Sequence, residues 1–408
     1  MKKLTILVLL LIPLLTACKE NLHISINNPL AIDRNNEMVE VNLDLISNLL
    51  TPYIEESFII ENKNGEEIPY QITHDQKVIF QVCVKANDRT SFCIHKGTPQ
   101  KYATKAHGNV YPQRMDDLAW ENDLMGFRAY GPTLQKKGER GFGYDLFAKR
   151  GTDKPVLEGM YANECSTELW AKFTELNKKD PKTAREFFKT FSYHCDQGYG
   201  MDCYAVGPTL GAGVAALLND KDIVYPWCYK TCEILDNGPL RFSARLIFNP
   251  IQYKDQQIVE TRIITLDAGS HMNCTKVSYK GIKEVTPIVS GIVLHTGSDQ
   301  FIKDTAKGYI AYQDPTTGPD QGQLFLGHVH PKAVKDTRVV YFNEDEIKAR
   351  NNARGHILAE STYVPNSEFV YYWGFGWNRS DIPNFENWQT YIETFAEKMK
   401  SPLIVSIN

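Results

Sequence analysis

The stretch Glu260-Thr261-Arg262-Ile263-Ile264-Thr265-Leu266-Asp267-Ala268-Gly269-Ser270-His271-Met272-Asn273 reads as a strand that runs into a polar turn bearing a histidine. It sits in a longer series. Across 241–278 and 285–341, strand-like runs return at regular spacing with Gly, Asp and Asn turns between them, which favours a mainly β, large antiparallel assembly over alternating β/α units. Upstream, His23-Ile24-Ser25-Ile26-Asn27-Asn28-Pro29 and Met38-Val39-Glu40-Val41-Asn42-Leu43 alternate apolar and polar residues around a turn. Val78-Ile79-Phe80-Gln81-Val82-Cys83-Val84 is a buried strand, and Asn64-Gly65 a turn. Residues 18–97 thus form a small N-terminal β-sandwich segment, and 98–408 the main domain. Two helical interludes interrupt the strands. Near 164–191, Ser166 or Thr167 caps a helix and Asp180-Pro181 starts a second, with proline at the first helical position where its missing N–H costs nothing. At the end, Asn384 caps a helix over 385–400 whose Phe385, Trp388, Tyr391, Ile392, Phe395 and Met399 share one face and should dock on a sheet.

The N-terminus carries an address. Lys2 and Lys3, a short apolar core from 4 to 14, and Leu15-Thr16-Ala17-Cys18 follow the grammar of an export signal, with residues 1–17 as the leader. The core is too short to remain as a transmembrane helix. Cys18 resembles the lipidated residue of a bacterial lipoprotein lipobox, so the mature chain is expected to be tethered to a membrane by acyl chains on Cys18. Lys19 rather than Asp follows it, which points to the outer membrane, on its periplasmic or surface side.

Composition narrows the partners. The chain's formal charge is −4, and losing Lys2 and Lys3 with the leader leaves −6. Nucleic-acid binding needs a concentrated basic face and is excluded as a partner class; an acidic ligand has to be met by local cations. Eight cysteines remain after Cys18, in spacings that match neither a disulfide framework nor a four-ligand zinc pattern, although Cys83 and Cys93 are placed to face each other across a hairpin. Aromatic residues make up 11% of the chain, with 21 Tyr and 6 Trp, a surplus that suits either a sugar-stacking surface or a large β core.

Five segments carry candidate chemistry. In Trp120-Glu121-Asn122-Asp123-Leu124-Met125-Gly126-Phe127-Arg128-Ala129-Tyr130-Gly131-Pro132, strand alternation sets Asp123, Met125, Phe127 and Ala129 on one face and Asn122, Leu124, Gly126, Arg128 and Tyr130 on the other. Arg128 beside Tyr130 suits capture of a carboxylate, or it pairs internally with Glu121 or Asp123. Residues 193–213, Tyr-His-Cys-Asp-Gln-Gly-Tyr-Gly-Met-Asp-Cys-Tyr-Ala-Val-Gly-Pro-Thr-Leu-Gly-Ala-Gly, form the densest polar and glycine-rich stretch. Tyr193, His194, Asp196, Asp202 and Tyr204 can converge on one pocket there, with His194 as general acid or base. An Asx-turn loop, a calcium site through Asp196 and Asp202, or a buried structural histidine are the competing readings. His271 is a second acid/base candidate or a solvated turn residue. His328-Val329-His330 points two rings the same way and would bind metal if a third ligand approached, but none is evident. No cofactor is required by these residues; a structural divalent cation is the one candidate. In Tyr371-Tyr372-Trp373-Gly374-Phe375-Gly376-Trp377-Asn378-Arg379, Trp373 and Trp377 share a face and form either a sugar-stacking wall or core. A Gly-x-Ser-x-Gly elbow, a zinc-protease helix and a nucleotide fingerprint are all missing from the sequence.

At 120–132, 193–213, 260–273, 371–381 and the terminal 385–405, the chain resembles the Bacteroidetes family of domain of unknown function 4861. The resemblance covers nearly the whole mature chain. Members are typically lipoproteins encoded among polysaccharide-utilisation genes, often beside pectin- or uronate-directed lyases and hydrolases. It implies a galactose-mutarotase-like antiparallel β-supersandwich with a few peripheral helices, and sugar-related work without an established reaction. On that basis the leading expectation is a lipid-anchored enzyme acting on uronate-containing oligosaccharide by β-elimination or epimerisation. Arg128 would neutralise the carboxylate, His194 and His271 would exchange protons with Tyr193 or Tyr204 as alternative base, and Trp373 and Trp377 would stack on sugar. Glu121, Asn122, Asp123 and Tyr130 would make further substrate contacts. The rivals are a non-catalytic glycan-binding lipoprotein, a glycoside hydrolase built on Glu121 and Asp123, and a purely structural use of the aromatics.

Overall fold

The opening stretch lies in a twelve-residue strand, Gln256–Asp267, whose side chains alternate strictly between buried and half-buried from Ile258 to the turn. Its neighbours on both sides, Arg241–Phe248 and Met272–Lys280, are antiparallel to it. In the computed structural model, which describes residues 21–49 and 57–407, the protein is mainly β and its strand pairs are antiparallel. The leader and Cys18 lie outside the described residues.

A nine-stranded sheet runs through Tyr229–Asn237, Arg241–Phe248, Gln256–Asp267, Met272–Lys280, Phe369–Trp377, Leu324–Val329, Tyr309–Asp314 and Phe301–Asp304, with Ile251–Tyr253 appended. Against it pack a five-stranded sheet centred on Thr286–Leu294 and a second five-stranded sheet that includes Gly126–Ala129 and Tyr144–Lys149. One continuous apolar core joins all three, with Trp120, Phe127, Tyr144, Leu210, Phe242, Ile264, Ile292, Ile357, Trp373 and Phe375 buried within it. These stacked sheets are the large antiparallel assembly expected from the strand pattern, arranged as a sandwich as the family resemblance implies.

The N-terminal residues form a smaller sandwich of a five-stranded and a three-stranded sheet with its own core of Ile24, Ile26, Val39, Ile60, Phe80 and Ile94. Its outer strand comes from the far end of the chain, where Ile404–Ile407 pairs with Leu22–Asn27. Arg34 fastens the arrangement, because its buried guanidinium donates to Asn28, Glu37 and the Ser401 carbonyl. The strands bearing Cys83 and Cys93 enter different sheets, so the expected hairpin between them does not form.

The helices follow their caps. Ser166 accepts from Leu169 N at the start of Thr167–Lys179, Asp180 from Lys182 N and Thr183 N at the start of Pro181–Phe188, and Asn384 from Asn387 N at the start of Phe385–Lys400. The last helix buries Phe385, Trp388, Ile392 and Ala396 against the outer face of the nine-stranded sheet, and the Trp388 indole donates to the Leu326 carbonyl at 2.9 Å.

Trp373 and Trp377 do not form a wall open to sugar. They point inward with Tyr371 and Phe375 and are at most 1% exposed. Trp373 stacks on Tyr144 with centroids 4.3 Å apart and donates to Thr275 at 2.8 Å. A Cβ on Gly213 would come within 2.6 Å of its ring, so only glycine allows this approach. Trp377 donates to the Gln321 carbonyl at 2.9 Å. Strand alternation set the two rings on one face correctly; a facing sheet covers that face.

His328 and His330 are likewise not metal ligands. Both rings clasp Ser290 of the facing sheet, at 2.9 Å from His328 Nδ1 and 3.0 Å from His330 Nε2. His328 Nε2 lies 3.2 Å from the Ala212 carbonyl, which can only accept, so that nitrogen carries the proton. Ser290 therefore donates to His328 Nδ1 and accepts from His330 Nε2–H, a chain that requires the His328 ring neutral. Burial pulls His328 down to about 3, with neighbouring His330 adding to the effect, and pulls His330 down to about 4; burial likewise takes His356 to about 3.

Because the folded state refuses protons that the unfolded histidines accept, this stability is fully present above pH 6.5. It is lost as pH falls toward 4 and 3, at about 1.4 kcal/mol per pH unit for each ring. Denaturant midpoints measured from pH 7.5 to 5 should therefore fall steeply, and a flat profile contradicts the neutral clasp.

Candidate functional site

The site is built on a cross-strand pair. Arg128, on Gly126–Ala129, lies directly opposite Asp145, on Tyr144–Lys149, in antiparallel register. Its Nε donates to Asp145 at 3.0 Å, its Nη2 to Asp145 and, at 2.9 Å, to Asp202 of Gly200–Asp202, and its Nη1 to the Tyr193 hydroxyl at 3.2 Å. The guanidinium is only 3% exposed, so its charge persists because two carboxylates flank it. Tyr130, two residues on and on the same face, donates its hydroxyl to Asp145 at 2.7 Å. Burial, reinforced by the Asp145 charge, pushes the Tyr130 phenol well above its usual value, so it stays a neutral donor.

Two carboxylates beside one guanidinium leave an excess of negative charge, and Asp202 absorbs it. Burial first, and then the Asp145 charge, push its carboxyl up to about 6, against the opposing pull of Arg128 and His194. The half-exposed ring of His194 stands beside it, with Nδ1 3.4 Å from the Asp202 carbonyl and 3.7 Å from its carboxylate. A carboxyl that holds its proton up to about 6 and an imidazole therefore sit side by side.

Of these, Arg128, Tyr130, His194 and Asp202 line a cavity of about 290 Å³ together with Arg114, Glu139, Tyr204, His295 and Arg350. Arg114 donates through Nε to Tyr193 at 3.3 Å, so the Tyr193 phenol receives two guanidiniums. His295 Nδ1 lies 2.6 Å from Asp314. Burial alone would lower this imidazole, but the Asp314 carboxylate outweighs it and holds the ring above its usual range, toward the cationic form. Tyr204 packs edge-on against His295 at 5.7 Å. Arg350 donates to the Pro208 carbonyl at 2.6 Å and lies over the Tyr225 ring at 4.5 Å. Tyr204 Oη, Arg114 Nη1 and Arg350 Nε are buried with no hydrogen-bond partner among the described residues. Donors left open around a cavity are what a bound polar ligand would satisfy.

The loop 193–213 thus brings Tyr193, His194, Asp202 and Tyr204 together, and the structure adds Arg128 and Tyr130 to them. Asp196 goes elsewhere. It accepts from Gly198 N and Gly200 N and pairs with Arg150 at 2.6 Å, an Asx-type turn in place of a calcium ligand. No group of three or more metal-ligating side chains occurs among the described residues. Arg128 is an internal pair, but with Asp145 and Asp202, where the sequence suggested Glu121 or Asp123.

The reason is local. Residues 122–125 turn back between Asp117–Glu121 and Gly126–Ala129, so alternation does not run through them. Glu121 is buried on Lys149 at 2.6 Å and on the amides of Val156 and Leu157; Asp123 accepts from Gly269 N at 2.7 Å. Asn122 ties the turn to the Asp267 and Ser270 carbonyls. None of the three lines the cavity, and the hydrolase reading on Glu121 and Asp123 falls with them.

His271 is not a second acid/base either. It is 4% exposed, with Nδ1 2.9 Å from the Phe375 carbonyl and Nε2 2.8 Å from Asp381, and it packs edge-on against Trp388 and Tyr391. It locks the 267–272 turn to the terminal helix. The strand-end histidine at the cavity is His295, which sequence reasoning missed. It follows Thr286–Leu294 directly and precedes a glycine turn, the same local signal that drew notice to His271. Arg114, Glu139, Asp145 and Arg350 were also missed, and only the fold brings them here.

A family model described as domain of unknown function (DUF4861) matches residues 26–405. The uncharacterized protein P7 of Formosa agariphila is 27% identical over 341 residues, 81% of this chain and 78% of that protein. Two solved structures from Enterococcus faecalis superpose over 95% of this chain. An α-mannosidase is 9% identical with TM-score 0.43, and a protein in glycosyl hydrolase family 38 is 8% identical with TM-score 0.47. This chain spans 46% and 47% of their lengths, and a likeness at this level says nothing of activity.

Arg128→Met would strand two buried carboxylates and is expected to cost about 3–5 kcal/mol of stability in denaturant unfolding. A carbon-detected carboxyl titration should show one group with a midpoint near 6 that vanishes in Asp202→Asn; a midpoint near 4 would remove the shared-charge account of the Arg128 cluster.

Proposed function

The chain belongs to the family of domain of unknown function 4861, and on that premise we propose that it takes the acidic unit of a uronate-containing oligosaccharide into the cavity and moves a proton at the carbon beside the carboxylate. One observation carries this reading. Beside the internally paired Arg128–Asp145–Asp202 cluster and the His295–Asp314 pair, the cavity is lined by the guanidinium of Arg114, 3.9 Å from Asp117, by that of Arg350, which makes no ion pair among the described residues, and by the carboxylate of Glu139. In a chain of net charge −4 this is a local cationic site suited to an acidic ligand.

The roles follow from what each group has left to give. Arg128 is spent on Asp145 and Asp202 and acts as a positioning residue. Arg114 and Arg350 retain open donors and meet the uronate carboxylate with His295, which stabilises the charge that builds when the neighbouring carbon loses its proton. His194 takes that proton. Its Nδ1 faces Asp202, and its Nε2 has no protein partner among the described residues. Tyr204, a buried phenol with an open hydroxyl that also lines the cavity, is the proton donor. β-Elimination and epimerisation both begin with this step and differ in whether a leaving group departs or a proton returns. Arrival of such oligosaccharides outside the cytoplasm agrees with an outer-membrane lipoprotein anchored through Cys18.

Purified protein incubated with a panel of oligogalacturonates and other uronate oligomers should give unsaturated or epimerised products, followed by ultraviolet absorbance and mass. His194→Ala should lower kcat about 10²–10⁴-fold, and Arg350→Gln should weaken binding about tenfold or more. Wild-type turnover by His194→Ala would falsify the acid/base assignment, and binding without any product favours a glycan-binding role. Cys18→Ala should shift the protein from the membrane to the soluble fraction; unchanged fractionation speaks against the anchor.

A further inference from the structure

Four of the six tryptophans, Trp120, Trp373, Trp377 and Trp388, are fully buried, whereas Trp227 is 43% exposed. It does not stand alone. Phe142, half-buried, lies 5.5 Å from Tyr225 with planes tilted by 33°, and 6.5 Å from Trp227 at 44°. Single exposed apolar residues are ordinary, but this one sits against two half-buried rings, Phe142 and Tyr225, at the side of the cavity.

The group is continuous with the cavity through two of its lining residues. Arg350 lies on the Tyr225 ring. Tyr130 is met by the residue before Phe142, since a Cβ on Gly141 would come within 2.4 Å of the Tyr130 ring. The platform is also held in shape. Pro226 stands between its two loop rings, and Cys228, next to Trp227, is buried, its sulfur 4.0 Å from the Tyr130 carbonyl and its own carbonyl accepting from the Asn249 side chain at 3.2 Å.

We infer that Phe142, Tyr225 and Trp227 form a second subsite, which stacks on the sugar unit adjoining the one in the cavity, so that the chain selects oligosaccharides over single sugars. This rests on the uronate reading of the cavity. A pyranose ring presents one face of C–H groups that packs on an aromatic ring while its hydroxyls stay in water, and a tilted pair of rings offers such a face without a deep pocket. Arg350, which lies over Tyr225 and also lines the cavity, sets the rings next to the unit whose carboxylate it meets. Because the rings are already held, little ordering entropy is lost on binding.

Binding of mono-, tri- and hexagalacturonate is measured by calorimetry and by tryptophan fluorescence on the whole protein, with unfolding midpoints as a fold control. The wild type should bind the longer oligomers about tenfold more tightly than the monomer. Trp227→Ala should lose that gain and bind the monomer as the wild type does, and Trp227→Phe should keep much of the gain while losing the fluorescence change. A wild type that gains with length while Trp227→Ala gains equally overturns the subsite and leaves the cavity reading intact, as does a wild type indifferent to length. A wild type that binds no uronate oligomer at all overturns both.

Discussion

The guanidinium of Arg128, buried between Asp145 and Asp202, is the interaction on which the rest of the site depends. A charge that deep persists only with counter-charges in contact, and the two carboxylates it draws in come from strands on the same sheet. That demand fixes the register of Gly126–Ala129 against Tyr144–Lys149 and seats Gly200–Asp202 beside it. The loop preceding Gly200–Asp202 is thereby placed over the sheet edge, with Tyr193 and His194 above the same charges. The surplus negative charge then appears as a proton held on Asp202 near neutrality. The geometry of this cluster and its acid–base character thus have one cause.

The surrounding core explains why so many aromatic residues are needed and why few reach the surface. Three sheets meet on one interior, and Trp120, Trp373, Tyr144 and Phe127 interlock there through stacked and edge-on contacts. Each buried indole finds a partner, whether a side chain as for Trp120 and Trp373 or a carbonyl as for Trp377 and Trp388. The histidines at 328 and 330 do comparable work with Ser290, tying two sheets by a directional chain where apolar packing alone would allow sliding.

What the sequence makes legible is what is decided within a few residues. Helix starts at Ser166, Asp180 and Asn384, the strand pattern of 256–267 and the turn after it follow from caps and alternation, and they stand where local chemistry puts them. The tight cluster at 193–204 was legible for the same reason. Partners across the fold were not. Asp145 and Asp202 lie 17 and 74 residues from Arg128, and no spacing links them. His271 and His295 give the same signal at a strand end, yet the terminal helix covers one and the cavity takes the other. Trp373 and Trp377 show the limit most plainly, because alternation tells which side chains share a face and is silent on what covers it.

The strand Ile404–Ile407, laid along Leu22–Asn27, has a consequence for how the protein reaches its native state. Arg34 contacts a carbonyl 367 residues further along the chain, so the smaller sandwich closes through one of the most distant pairings in the molecule. Such a pairing raises the contact order and is reached late, after the large loop it closes has been ordered. Until then the edge of Leu22–Asn27 offers unpaired amides and carbonyls to any extended segment nearby. The last strand therefore acts as a seal on the first, and a chain cut short of it would present a sticky edge whatever the state of its pocket.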